Sequence, residues 1–314
     1  LTTHEVALST THDPADSFGL VFLVFSESSE NILEFLSVRL ARRDVDQLPQ
    51  AFEHGCICVD GLVAYPSQIL ICGQKVTVSL RGHQEADVDS HWQVLWQNDE
   101  LLKVYKPALL PVSRTTRNLY QTLISLVRRE TPFVNAQLLH RLDTETSGVI
   151  LLAKDSAADK KWKKQLEQLI VRKVYHAWVT GLPEWNQITF ECELSEKQGS
   201  EIRSQMYVVD PQERERYLKP KVSKTAFRVL QRQTDRALIE CQLFTGRKHQ
   251  IRAQLAHLGY PIIGDKIYSH DGRFYLKRLE QPLTDDDFGT LGAQHHLLES
   301  KVIELNNEFI TALL

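Results

Sequence analysis

The chain has 314 residues, 42% of them hydrophobic and 25% charged, with a formal net charge of −3 at pH 7. That composition fits an ordinary globular protein with ample core and argues against a disordered chain. A slightly negative sum also argues against bulk affinity for nucleic acid, so any such contact has to come from local clusters. The length suits two domains, or one large domain with an extension. No apolar run approaches the ~18–20 residues of a membrane span. The start, Leu1 to Glu5, has neither a basic nor an apolar stretch, so no signal peptide is expected. Five cysteines, Cys56, Cys58, Cys72, Cys192 and Cys241, make an odd count without a CxxC. Neither a zinc ribbon nor a disulfide framework is indicated, and a reduced, cytoplasmic setting is expected.

In chain order, 21–25 reads as a strand. Ser28 or Ser29 then caps a helix with Ile32, Leu33, Leu36 and Leu40 at helical spacing. A second short helix ends at Gly55, and 56–59 with 62–64 forms a hairpin about Asp60-Gly61. Residues 75–80 alternate as a closing strand, and 81–92, lacking any apolar period, read as a linker. A second hairpin joins 94–96 to 101–105, and Lys106-Pro107 opens a loop. An amphipathic helix is expected over 118–130, and a basic helix over 156–171. Strands follow at 174–180, 188–194, 224–231 and 236–244. A helix over 248–258 carries Ile251, Leu255 and Leu258 and ends at Gly259. Neighbouring strands with short turns imply an α+β protein, with a mixed, mostly antiparallel sheet and helices packed against it.

The stretch 139–148, LHRLDTETSG, stands between the apolar pair Leu138-Leu139 and the apolar run 149–153. A loop held between two strands is a rigid place to present Asp143 beside Arg141, although an isolated HRLD is equally a surface turn. The ten-residue pattern resembles the HRLDxxTSG motif of the RluA-type pseudouridine synthases, with every fixed position matched. Two more blocks resemble that family in the same order. KVYHAWVTG (173–181) is similar to its K-x-Y-x-A-x-V-x-G segment, and LFTGRKHQIR (243–252) to its L-x-TGR-x-HQIR segment. The match continues through GYPIIGD (259–265) and Tyr268, covering roughly residues 93–270. Where the family usually shows K-P-x-G, this chain has Lys106-Pro107-Ala108-Leu109.

The resemblance implies three parts: an S4-like RNA-binding module over 1–82, a linker over 83–92 and a catalytic domain over 93–314. In the module, Asp44, Asp46 and Glu53 intrude where the family is basic, although Arg39, Arg42 and Arg43 remain. It also implies isomerisation of uridine to pseudouridine, with Asp143 as the nucleophile, Arg252 as its ion-pair partner and Tyr175 as the pocket aromatic. The reaction exchanges one bond for another within a nucleotide, so no metal or redox cofactor is called for. The target base has to leave its stack, and Arg141 is suited to fill the gap. His140, Thr144, Lys173, Arg247 and Lys248 are expected to meet RNA, and the cations of 154–173 to meet phosphate. From the residues alone, His140 and His249 read as local hydrogen-bonding groups, and Thr144, Thr146 and Ser147 as pins for the loop.

The resemblance of the amino-terminal module implies ribosomal RNA rather than transfer RNA. The protein is expected to be a monomer without a membrane partner, since no heptad seam is evident. A non-catalytic RNA-binding or ribosome-assembly factor on the same fold is the alternative. A glycosidase-like hydrolase is weaker, because Glu145, two residues from Asp143, is a poor second carboxylate. The last ~45 residues offer one suggestive pair, His295-His296, and receive no role.

Overall fold

The computed structural model describes residues 17–25 and 29–313, and the chain falls into two units. The first takes the residues up to Asp87 with Thr115–Gln121 and Ser125–Val134; the second takes Val88–Arg114, Thr122–Ile124 and Asn135 onward.

In the first unit the chain runs β1 (Ser17–Leu23), β2 (Glu30–Asn31), α1 (Ile32–Ser37), α2 (Arg42–Val45) and α3 (Leu48–Glu53). It continues through β3 (Ile57–Val59), β4 (Leu62–Val63), β5 (Ile69–Leu70) and β6 (Lys75–Arg81). Four strands pair antiparallel in the order β1-β6-β3-β4. Val76, Val78 and Leu80 are buried, as the alternation predicted. Yet β6 lies inside the sheet rather than closing it, because alternation reports which face is buried and not how many neighbours a strand has. The α1 cap is Asn31, whose Oδ1 accepts from Leu33 N at 2.8 Å. Ser29 does not fill that role, and Ser28 lies outside the described residues. The expected second helix is two short ones, with Pro49 in the first turn of α3, where its missing N–H costs nothing. Asp44 is buried and accepts from the Tyr120 hydroxyl, so the acid that intrudes on the basic pattern has a structural partner.

Residues 83–87, read as linker, are tied down through Glu85. Its carboxylate accepts from His83 Nε2 and from the backbone N–H groups of Leu119, Tyr120 and Gln121. This corrects the helix expected over 118–130. The N–H groups of 119–121 are spent on Glu85, and that of Asn118 on Thr115 Oγ1, so α4 starts only at Leu123 and runs to Glu130.

In the second unit, β7 (Gln93–Gln97) and β8 (Leu101–Lys106) form the expected hairpin. Then come β9 (Gln137–Leu138), β10 (Ser147–Ala153), α5 (Ser156–Lys163), α6 (Leu166–Leu169), β11 (Ile170–Thr180), β12 (Gln187–Ser195) and β13 (Tyr207–Val208). The rest is β14 (Lys221–Arg232), β15 (Arg236–Leu243), α7 (Gln250–His257), α8 (Arg273–Glu280), α9 (Asp285–Leu291), β16 (Leu298–Leu305) and α10 (Asn307–Leu313). The strands make one mixed sheet, β13-β12-β14-β15-β11-β16-β10-β8-β7, with β9 on β10. The β10–β16 pair is parallel and the other pairs are antiparallel, the predicted class.

The basic helix expected over 156–171 breaks in two and ends early. Ile170 and Val171 already belong to β11, where Ile170 pairs with Leu305 of β16. Trp162 and Leu169 are wholly buried in a core with Leu151, Ala153 and Ile303, so tertiary pairing overrides the helical period. Leu109, in the place of the family's glycine, adopts the left-handed conformation (φ +65°), which costs an L residue about 1–2 kcal/mol. Gly148 shows why a glycine follows the motif serine. A Cβ there would lie 2.1 Å from the Ser300 carbonyl oxygen, so β10 could not approach β16.

Candidate active site

Asp143 sits on the loop between β9 and β10, and its neighbours in that loop are each held. Lys106, at the end of β8, is wholly buried and donates through Nζ to the carbonyls of Pro107, Leu110 and Thr144. Burial pushes its ammonium down to about 7, against the opposing pull of the Asp143 charge. Thr146 Oγ1 meets His296 Nε2 at 2.7 Å. Glu145 accepts from Lys266, from Arg278 and from the backbone N–H of His296. Glu145 is thereby committed: burial would raise its carboxyl, but the Lys266 and Arg278 cations hold it below the usual range. It cannot serve as a protonated second acid, which removes the hydrolase reading.

Arg252 comes from α7, seven-hundredths exposed, and divides its guanidinium between two carboxylates. Nη1 donates to Asp143 Oδ2 at 2.7 Å, while Nε and Nη2 grip Asp265 at 2.7 and 2.9 Å. Asp265 is completely buried and also accepts from the N–H groups of Ile267 and Tyr268. Burial would raise the Asp265 carboxyl, but Arg252 outweighs it and keeps the group ionised. Asp265 therefore fixes the arginine, and the arginine presents its third donor to Asp143. Burial would likewise raise Asp143, which the Arg252 charge and hydrogen bond more than offset, so it stays an anion at the edge of the buried site.

Tyr175 lies on β11, buried, in register with Cys241 on β15 and Ser300 on β16. Burial first, and the Asp143 charge with it, push its hydroxyl up to about 12. At neutral pH it is a phenol, able to stack or donate but not to act as a base. The turn leading into α7 is built by its own side chains. Gln250 Oε1 accepts from Thr245 Oγ1 and Arg247 N, while Nε2 donates to Lys224 O and Thr225 Oγ1.

A family model described as RNA pseudouridylate synthase matches residues 100–257. A protein of Synechocystis described as an uncharacterized RNA pseudouridine synthase is 31% identical over 77% of this chain and 80% of its own length. The ribosomal large subunit pseudouridine synthase D of Pseudomonas aeruginosa is 31% identical over 71% of this chain and 68% of its own. The chain belongs to the RNA pseudouridylate synthase family. Its relatives place it in the RluA-type branch, so it is an RNA pseudouridine synthase acting by uridine isomerisation. The fold agrees with the human RNA pseudouridylate synthase domain containing 1, with a TM-score of 0.52 at 21% identity over 69% of this chain and 79% of that one.

Within that family frame, the fold brings Asp143 and Arg252 into direct contact and sets Tyr175 within electrostatic reach of Asp143. Arg141 and Thr144 are exposed on the same loop. His140 is engaged locally, its Nε2 accepting from Leu151 N at 3.1 Å. Burial and the charge of Lys173 push its imidazole down to about 4, so it is neutral. Arg247 and Lys248 are exposed and already partnered, by Val222 O and by Glu196. Lys173 is half-buried, and burial lowers its ammonium. Three participants had no role assigned from the sequence: Lys106, Asp265 and His296. A lysine ending an apolar strand just before a proline, and an acid following Gly264, were visible, but their partners were not. His296 lies 150 residues from Thr146, beyond the reach of any local pattern.

Proposed function

We propose that this protein converts a uridine of ribosomal RNA to pseudouridine through Asp143. The observation that carries the reading is the buried Arg252, which Asp265 holds so that Asp143 stays ionised. The carboxylate forms an adduct with the ribose or the base, the N1–C1′ bond breaks, the uracil turns, C5 joins C1′, and the bond to the carboxylate breaks to return free Asp143. The C5 proton leaves and N1 gains one, so the product is an isomer of the substrate. Tyr175 stacks on or donates to the base, which flips out of its helix or loop. The exposed Arg141 fills the vacated stack with its planar guanidinium. His140 and Thr144 shape the loop beside the nucleotide, while Lys173, Arg247, Lys248 and the exposed lysines of α5 meet phosphate.

Relatives named as ribosomal large subunit pseudouridine synthases favour ribosomal RNA over transfer RNA. We assign 1–82 to an S4-like RNA-binding module, 83–92 to a linker and 93–314 to the catalytic domain, in a cytoplasmic monomer. No helix among the described residues is long and apolar enough to cross a membrane. The alternative of a binding or assembly factor is disfavoured, because such a protein would have no use for an ionised, arginine-held Asp143.

The test is pseudouridine mapping in a strain lacking the protein, complemented with the wild type or with Asp143→Asn. Loss of one or a few sites, restored by the wild type alone, is expected. Restoration by Asp143→Asn would overturn the role of Asp143. An unchanged map would favour the binding factor.

A further inference from the structure

His249 occupies the N-cap position of α7 in the left-handed conformation (φ +55°, ψ +19°) and makes no side-chain cap hydrogen bond. Local structure alone would favour Gly or Asn there, since other side chains strain the backbone in that region. The imidazole is spent elsewhere. It is one-tenth exposed, with Nε2 lying 3.8 Å from Asp143 Oδ2 and Nδ1 lying 3.0 Å from the Tyr268 hydroxyl. That hydroxyl accepts from the backbone N–H of Met206 at 2.8 Å. Its own proton is then free for Nδ1, which leaves the imidazole proton on Nε2, facing the carboxylate. The opposite tautomer would set two lone pairs against each other. Burial first, then Arg252, push the ring down to about 4, so it is a neutral donor at neutral pH.

We propose that His249 is a positioning residue for Asp143. Its Nε2–H, set by the Tyr268 hydroxyl on the other ring nitrogen, holds Oδ2 together with Arg252 and turns Oδ1 toward the nucleotide. This rests on Asp143 being the nucleophile. At 3.8 Å the contact is not yet a hydrogen bond, and a small rotation of the carboxylate on binding closes it. Tyr268 acts through His249, and it further braces the site by packing its ring 5.1 Å from the Arg252 guanidinium.

The test uses the full chain and total RNA from the deletion strain, which holds the unmodified uridine whichever RNA carries it. Single-turnover rates are measured with enzyme in excess for the wild type, His249→Asn, Tyr268→Phe, the double variant and Asp143→Asn. Asn tolerates the left-handed backbone, so position 249 keeps its fold. His249→Asn is expected to lower the saturating rate by about 10- to 100-fold, with the half-saturating enzyme concentration unchanged within about twofold. Tyr268→Phe should lose less, and should cost nothing more once position 249 is Asn. An inactive Asp143→Asn beside a His249→Asn of wild-type rate would overturn this inference and leave the nucleophile reading standing. Losses at 249 and 268 that simply multiply would also overturn it. An active Asp143→Asn would overturn both readings.

Discussion

Arg252 shows how one buried cation serves two anions with different tasks. Asp265 has no solvent exposure and takes two of the guanidinium donors; Asp143 is about one-third exposed and takes one. The pairing with Asp265 makes the third donor rigid, and its rigidity is what Asp143 uses. Arg252→Ala should therefore damage stability and chemistry together. It leaves Asp265 as an uncompensated buried charge, for which a loss of about 3–5 kcal/mol is expected. Urea unfolding checks this, and Asp265→Asn in the same chain should recover part of the loss while activity stays low. If stability were unchanged, the Arg252–Asp265 pair would not be the anchor of the site. That Arg252 meets Asp143 was legible in the motif resemblance; that Asp265 holds Arg252 was not, since nothing in a linear pattern pairs residues 252 and 265.

The elements around the site are braced by polar groups as much as by apolar ones. α7 is seated through Gln250 and Gln254, whose amides bond Thr225, Ser223 and the Lys224 carbonyl on β14. The basic segment divides by task along α5. Lys161 Nζ binds both oxygens of Glu100, and Trp162 Nε1 donates to the same carboxylate, so that face locks α5 to the β7–β8 turn. Lys160 and Lys164 are exposed. Lys160→Gln with Lys164→Gln should flatten the plot of log affinity against log salt for target RNA, by about 0.7–0.9 for each phosphate that is no longer neutralised. Lys161→Gln should instead cost about 1 kcal/mol of stability with little change in slope. Equal slopes in the wild type and both variants would return α5 to an ordinary solvated face. The sequence showed the charges of this segment but not their division, because Glu100 lies some sixty residues away.

At the scale of the molecule, the second unit carries three imidazoles that the fold keeps neutral. His140, His249 and His296 are each pushed down to about 4, by burial first and then by nearby cations, Lys173 for the first and Arg252 for the others. The unfolded chain binds these protons near pH 6.5 and the folded unit only near 4. Their contribution to stability is therefore complete above about 6.5 and is lost as pH falls toward 4. Asp143 and Asp265, whose carboxyls are held below the ordinary range, add a further loss at lower pH still. All five tryptophans lie at position 92 or beyond, so their fluorescence follows the second unit. The urea midpoint read this way should drop between pH 7 and pH 4.5, and a flat profile would count against the buried, neutral histidines. By itself the sequence determined the fold class, most strand positions, the family and the loop that presents Asp143, because periodicity and contiguous motifs are local signals. Only the tertiary structure decided where α4 begins and where the basic helix breaks, since Glu85 captures the N–H groups of 119–121 and β16 pairs with Ile170. It alone decided the long-range partners as well: Lys106 on the Thr144 carbonyl, Asp265 on Arg252, His296 on Thr146 and Tyr268 on His249. Each of those pairings joins residues at least 13 apart in the chain, and no local pattern encodes which of them will meet.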